Sequence, residues 1–243
     1  MVGADLKNLV NEAALLVARR GGDTVRLRDF TDALSKIQLG SERRIVVSDE
    51  ERRRTAYHES GHALIGMLTP GADPVRKISI VPRGHALGVT FQSPDTDRYF
   101  YSEPYLRGRI AGMLGGRAAE HLAFGDVTTG SESDLEQATA LARQMVGRWG
   151  MSELVGAMSV LPDPRREQPF ALDGGATSPA TQELVETEVR RILAECSRRA
   201  ADVLEAERPR LDALVDALLV AETLDTAAAH RAVSLSLDTG AGT

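Results

Sequence analysis

Tyr57-His58-Glu59-Ser60-Gly61-His62 lies inside a run from Ser48 to Leu68, and the conformation of that run decides how the rest of the chain is read. In a helix each residue turns about 100°, so His58 and His62 come about 40° apart on one face, one turn above the other. Two imidazoles so placed can reach one ion. Zinc suits them because it accepts imidazole nitrogen and carboxylate oxygen, and at a catalytic site it keeps three protein ligands and leaves the fourth position to water. Glu59 projects about 100° round from His58, beside that open position, where its carboxylate can take a proton from the water. The helix is well signalled. Ser48 can cap the first free amides while Glu51 bonds back, a capping box, and Thr69-Pro70-Gly71 stops the helix. Gly61 and Gly66 each cost roughly 1 kcal/mol against Ala in a helix interior, which implies that another backbone or the metal site comes close. The plain alternative is a polar helix with two solvated histidines.

The totals bound the rest. A length of 243 residues suits one or two domains with a sizeable core. With 42% hydrophobic but only 4% aromatic residues, that core must be built from Leu, Ala and Val, which favours helices. A net charge of -6 argues against a general nucleic-acid binder. Cys196 is the single cysteine, so no internal disulfide is possible and a reducing compartment fits. No apolar run approaches the ~18 residues needed to span a bilayer, and the amino terminus has no signal-peptide pattern. The chain itself is expected to be soluble.

Residues 4–20 carry Leu6, Leu9, Val10, Ala13, Ala14 and Val17 at a helical period, closed by Arg19-Arg20-Gly21-Gly22. A second helix over 28–39 places Phe30, Ala33, Leu34 and Ile37 on one face before Gly40. Two short helices make no core of their own, so residues 1–40 read as the tail of a larger domain and 40–47 as a linker. Residues 75–81 and 87–92 alternate and are β-branched, two strands around the loop Pro82-Arg83-Gly84-His85-Ala86. Their edge is a ready template for an extended peptide. Ser102-Glu103-Pro104 opens a helix to about 124, and a turn cluster over 127–134 leads into another over about 134–149, with Ser131-x-x-Asp134 and Ser133-x-x-Glu136 as rival capping boxes. Residues 161–179 read as a long mobile loop. Helices follow over about 180–207 and, after an interruption at Pro209, 211–221. Thr223-Leu224-Asp225 caps a last helix that fades by 237, and 238–243 read as a disordered tail. The fold class is mainly α with a small β-sheet.

Two histidines leave zinc one protein ligand short. Glu120, Asp134 and His121 are the candidates, and position alone leaves the choice open. Asp134 can present a carboxylate from the first turn of a helix, but on position alone it reads more readily as an ordinary cap than as a ligand. Glu120, after Gly115-Gly116, could instead hold a metal-bound imidazole by its other nitrogen. His121 and His85 read as solvated, and His230 sits in the terminal helix, far along the chain from the motif.

Asp5-Leu-x-Asn-Leu-Val-Asn-Glu-Ala-Ala14, His58-Glu-Ser-Gly-His62, Ile80-Val-Pro-Arg-Gly-His-Ala-Leu-Gly-Val-Thr90, Gly115-Gly-Arg-Ala-Ala-Glu120 and Thr129-Gly-Ser-Glu-Ser-Asp134 occur in order at matching spacing. Together they resemble the FtsH family of AAA zinc metalloproteases over about residues 1–237. The resemblance implies a helical zinc metalloprotease domain over 41–237, preceded by the last helices of an AAA lid over 1–40. It assigns the zinc (Zn2+) ligands to His58, His62 and Asp134, the general base to Glu59, and the imidazole-holding carboxylate to Glu120. Four positions depart from the family pattern: Ser133 replaces its Asn, Ser131-Glu132 its Ala-Ser, and His121 the second of its Glu pair. None removes a ligand.

The implied reaction is hydrolysis of peptide bonds in unfolded membrane and soluble proteins by metal-activated water, within a homo-hexamer. ATP and Mg2+ belong to an upstream ATPase module. This chain has no Gly-x-x-x-x-Gly-Lys-Ser/Thr loop and no spanning helix, so it is expected to cut but not to pull. The resemblance implies that the full-length protein is membrane-anchored through upstream segments, with this domain on the cytoplasmic side. Two other readings remain: a catalytically silent module for hexamer assembly or substrate holding, against which the intact Glu59 speaks, and a zinc-stabilised structural domain, for which Cys196 is the only thiol available.

Overall fold

The computed structural model describes residues 2–41, 45–84, 86–94, 96, 98–161 and 178–238, the side chains at 38, 39 and 235–238 excepted. The order is α1 (Gly3–Arg19), α2 (Leu27–Leu39), α3 (Asp49–Leu68), β1 (Val75–Ser79), β2 (Val89–Gln92), α4 (Glu103–Phe124), a 3-10 turn (Thr129–Ser131), α5 (Glu132–Gly147), α6 (Pro179–Ala206), α7 (Arg208–Ala221), β3 (Thr223–Asp225) and α8 (Thr226–Asp238). The expected class, mainly helical with a small sheet, is what the chain forms. Among the described residues no helix is long and apolar enough to cross a membrane.

α3 is the central element and forms for the reasons its sequence gives. Ser48 Oγ accepts from the Glu51 amide at 3.2 Å, and the Ser48 amide donates back to Glu51 Oε2 at 3.2 Å. The helix packs on α4, α7 and both strands β1 and β2, burying Ala56, Tyr57, Ala63, Leu64 and Ile65. Its two glycines answer to two different neighbours. At Gly61 a Cβ would overlap the Gly115 carbonyl of α4, so the two backbones touch. At Gly66 it would overlap the side-chain amide of Gln92 on β2.

The sheet has the order β2-β1-β3, antiparallel throughout. β3 corrects the expectation that Thr223-Leu224-Asp225 serves only as a helix cap. Leu224 pairs with Ile78 and is buried, while Asp225 still caps α8 by accepting from the Ala228 amide at 2.8 Å. Three residues are too short to show a strand period. With β3 on one side of β1, β2 is left as the other edge. Both β1 and β2 are shorter than the alternation suggested.

Other boundaries moved for local reasons. Pro209 opens α7 instead of interrupting a helix, since in a first turn its missing N–H has no partner to lose. α5 starts at Glu132, and neither expected capping box forms: Ser131 makes no side-chain cap hydrogen bond, and the Asp134 carboxylate turns elsewhere. α1 and α2 form a hairpin with Ala13, Val17 and Ala33 buried between them, tied by ion pairs Arg20–Asp29 and Lys36–Glu12. Leu6 and Val10, on the expected apolar face, stay more than half exposed. Of the expected loop 161–179 and tail 238–243, positions 162–177 and 239–243 lie outside the described residues, while Pro179 and Asp238 are helical.

The α3–α4 crossing gives a paired prediction. At Gly115 a Cβ would meet the Gly61 carbonyl oxygen at 2.8 Å, whereas at Gly112, in the same helix, it would meet nothing within 4 Å. Gly115→Ala is expected to destabilise the chain by about 1–3 kcal/mol, and Gly112→Ala to stabilise it by roughly 0.5–1 kcal/mol. Urea unfolding midpoints check both.

Candidate metal centre

The close crossing brings α4 against the face of α3 that carries the imidazoles. His58 and His62, one turn apart, have Nε2 atoms 3.0 Å from each other. The Asp134 carboxylate, from the first turn of α5, reaches in from the opposite side, its Oδ2 lying 3.2 Å from both Nε2 atoms. Donors held at about 2.0–2.2 Å around one tetrahedral ion stand roughly 3.3 Å apart, so these three edges have the size that zinc needs. The three are the group able to hold a metal ion found among the described residues, with all donor atoms within 4.8 Å of one another. Position 116 is a further test. A Cβ on Gly116 would lie 2.6 Å from His62 Nε2 and 2.7 Å from His58 Nε2, so glycine keeps the cradle open.

The far ring nitrogens are also fixed. His62 Nδ1 lies 2.7 Å from the Gly112 carbonyl oxygen. A carbonyl only accepts, so Nδ1 carries the hydrogen and the Nε2 lone pair points at the cradle. His58 Nδ1 lies 2.7 Å from Glu120 Oε1, and the other oxygen of that buried carboxylate accepts from the Thr128 amide at 3.0 Å. Glu120 therefore holds the ring and is held in turn, the arrangement usual behind metal-bound imidazoles.

Charge explains the rest. Burial opposes a proton on His58, but hydrogen bonds to Asp134 and Glu120 outweigh it and hold its pKa up at about 10. Burial likewise opposes the charge on Asp134, and the two imidazoles overcome it, keeping the carboxyl well below its usual range. The pocket thus attracts positive charge strongly, whether a proton or a cation. Glu59 differs: it is 6% exposed, and burial pushes its carboxyl above the ordinary value despite the opposing pull of His62, His58 and the Thr90 hydroxyl. Thr90 on β2 donates to Glu59 Oε2 at 2.6 Å. Gly88 gives this carboxylate its room, since a Cβ there would stand 2.7 Å from Glu59 Oε1.

Of the candidates compared in the sequence, the structure brings Asp134 to the histidines and sets Glu120 behind His58. His121 lies exposed at the end of α4, where its carbonyl accepts from Gly125. His230 is exposed on α8, and His85 lies outside the described residues. Thr90, Gly112, Gly116 and Thr128 were not singled out. Only the double glycine in mid-helix carried a signal that could have found one of them.

The sequence profile of peptidase family M41 matches residues 45–232, and that of the AAA+ lid domain matches residues 1–32. The chain is 58% identical over 235 residues to ATP-dependent zinc metalloprotease FtsH 3 of Conexibacter woesei, covering 97% of this chain and 31% of that protein. It is 56% identical over 227 residues to ATP-dependent zinc metalloprotease FtsH of Thermobaculum terrenum, covering 93% and 35%. The FtsH of Syntrophus aciditrophicus is 55% identical over 230 residues, covering 92% and 31%. The chain thus spans about a third of the length of these relatives.

Because His58 holds a proton up to about 10 when no metal is bound, a zinc ion taken up by this ring at neutral pH would have to displace it. Titrating zinc into metal-free protein at pH 7 is expected to release about one proton per ion from His58. The affinity should fall as the pH is lowered. Calorimetry in two buffers of different ionisation heat reads the proton count.

Proposed function

The chain belongs to peptidase family M41, and from that premise we propose that it is a zinc-dependent endopeptidase domain. The observation that carries the reading is the convergence of His58, His62 and Asp134 on one point, with a buried, raised-pKa carboxylate on the residue next to the first of them. His58, His62 and Asp134 would hold the zinc, which supplies Lewis acidity to an attacking water and to the peptide carbonyl.

The chain's own groups do the remaining work. Thr90 pins Glu59 Oε2, which leaves Oε1 to take the proton from the attacking water. Glu59 then returns that proton to the amide nitrogen as the C–N bond breaks, the same group acting as base and acid. Burial favours this dual role, because a carboxyl with a raised pKa gives up its proton at a pH nearer to the working range. Glu120 and the Gly112 carbonyl keep the two rings aimed at the metal. An extended peptide lies along the outer edge of β2 and bonds through its backbone, so side-chain preference is weak.

In this reading residues 1–40 are the last helices of an AAA lid and 41–237 are the protease domain. The relatives' names describe ATP dependence. We propose the same for the full protein, with ATP and Mg2+ bound by an upstream module. It would work as a homo-hexamer, membrane-anchored through upstream segments with this domain on the cytoplasmic side, on unfolded membrane and soluble proteins.

Glu59→Gln is expected to retain zinc and lose cleavage of unfolded casein by about 10²–10⁴-fold; full cleavage with zinc bound would remove Glu59 from its role. Glu120→Gln is expected to weaken zinc binding about 10–100-fold, read by competition with a chelator. The acid limb of kcat/KM should lie above the 4.5 of an ordinary glutamate, since activity is lost as Glu59 gains its proton.

A further inference from the structure

The loop that joins β1 to β2 is fixed at its entry, its tip and its exit. At the entry the Ile80 amide donates to the Glu222 carbonyl, next to β3, at 3.0 Å. At the tip Arg83 and Ala86 exchange both backbone hydrogen bonds at 2.9 Å, closing a tight turn. Two residues past that turn the backbone meets Glu59: a Cβ on Gly88 would stand 2.7 Å from Cγ and Oε1 of the glutamate and 2.7 Å from Thr55 Cγ2. Thr90 then donates to Glu59 Oε2 at 2.6 Å, and its hydroxyl lies 3.0 Å from the Glu59 carbonyl oxygen. The chain from the turn to Thr90 is therefore one wall of the space that holds the Glu59 carboxyl.

The turn is itself gripped from outside the sheet. Arg83 Nη1 donates to the Gly40 carbonyl at 3.2 Å, and the Gly84 amide donates to the Ser41 carbonyl at 3.3 Å. Gly40 is not a loose acceptor, because its own amide donates to the Lys36 carbonyl in the last turn of α2 at 3.0 Å. α2 meets the sheet again where Lys77 of β1 donates to the Ser35 hydroxyl at 3.0 Å. A path of direct contacts thus leads from α2 through Gly40 and Arg83 to the turn, and from Gly88 and Thr90 to Glu59.

A carboxyl that trades a proton with an attacking water must be held closely, since a displacement of about 1 Å can cost ~10²-fold in rate. Gly88 and Thr90 confine Glu59, but β2 is an edge strand of four residues, Val89–Gln92, and short edges open locally unless something outside them holds on. We infer that Arg83 is a positioning residue for Glu59: its grip on the Gly40 carbonyl fixes the 83–86 turn, and through Gly88 and Thr90 the turn fixes the carboxyl. This rests on the reading of Glu59 as the general base. Arg83 acts through the backbone of the loop, not on the reacting atoms.

The test uses two variants of the whole chain. Arg83→Met keeps the apolar stem and removes the donors, and Arg83→Lys puts a donor back. Cleavage of fluorescein-labelled unfolded casein by the zinc-loaded proteins gives kcat and KM. Hydrogen exchange in the metal-free proteins, read by mass spectrometry, reports the amides of residues 86–92. Metal content and thermal melting check the cradle and the fold. In Arg83→Met, kcat is expected to fall about tenfold or more while KM stays within about twofold. Exchange across 86–92 should quicken about tenfold, with α4 and α6 unchanged, and zinc should be retained. Arg83→Lys should recover most of both effects. Unchanged exchange across 86–92 overturns the inference, and so does an unchanged kcat in a chain that cuts. Loss of zinc or failure to fold also overturns it, assigning Arg83 to the stability of the whole. If the unaltered chain cuts nothing, the catalytic reading falls, while faster exchange in Arg83→Met that Arg83→Lys reverses still upholds the hold on β2 and Glu59.

Discussion

The contact between the α3 and α4 backbones at Gly61 and Gly115 is the constraint on which the site depends. With no side chain between them, the helices approach until the next residue of α4, Gly116, faces the two imidazoles and the Gly112 carbonyl reaches the far nitrogen of His62. Glu120, one turn beyond Gly116, then meets His58. A methyl group at the crossing would push all of these contacts apart together, because they hang on the same pair of rigid rods.

That geometry places charges in an order that they would not choose unaided. Burying Asp134, Glu120 and Glu59 around two imidazoles costs desolvation at each carboxylate, and His58 answers by holding a proton. The cradle is thus a place where positive charge relieves strain. Asp134 and Glu120 stay ionised through their hydrogen bonds to the rings, while Glu59, with Thr90 as its hydrogen-bond donor, is shifted the other way. Neighbouring carboxylates are pushed apart in acidity by their surroundings, which is how one site comes to hold both groups able to take a metal ion and a group that can exchange protons.

The sheet contributes position more than stability. β1 is flanked by β3 on one side and β2 on the other, so among the described residues β2 has no second strand beside it, while α3 packs against it. Thr90 joins that strand to the buried carboxylate, and Gly88 lets it come close. The edge strand is therefore fixed to the buried carboxylate. The α1–α2 hairpin has its own small core, leaves Leu6 and Val10 in water, and meets β1 through the Ser35 hydroxyl, which accepts from Lys77.

What could be read directly was local. The Ser48–Glu51 box, the Pro70-Gly71 stop, the spacing of His58 and His62 on one helical face and the opening of α4 at Ser102-Glu103-Pro104 all depend on residues within a turn or two of each other, where the period and the capping groups are written into the chain. Position alone left the third cradle group open between Glu120, Asp134 and His121, and the motif resemblance narrowed the choice. The fold then decided what no local pattern can hold. Asp134 gives up its capping box to meet histidines more than seventy residues earlier. Leu224 becomes a strand because Ile78 is there to pair with it. Gly116 and Thr90 matter only through what they face across the interior. Such distant pairings are fixed by packing, and packing exists only once the helices have met.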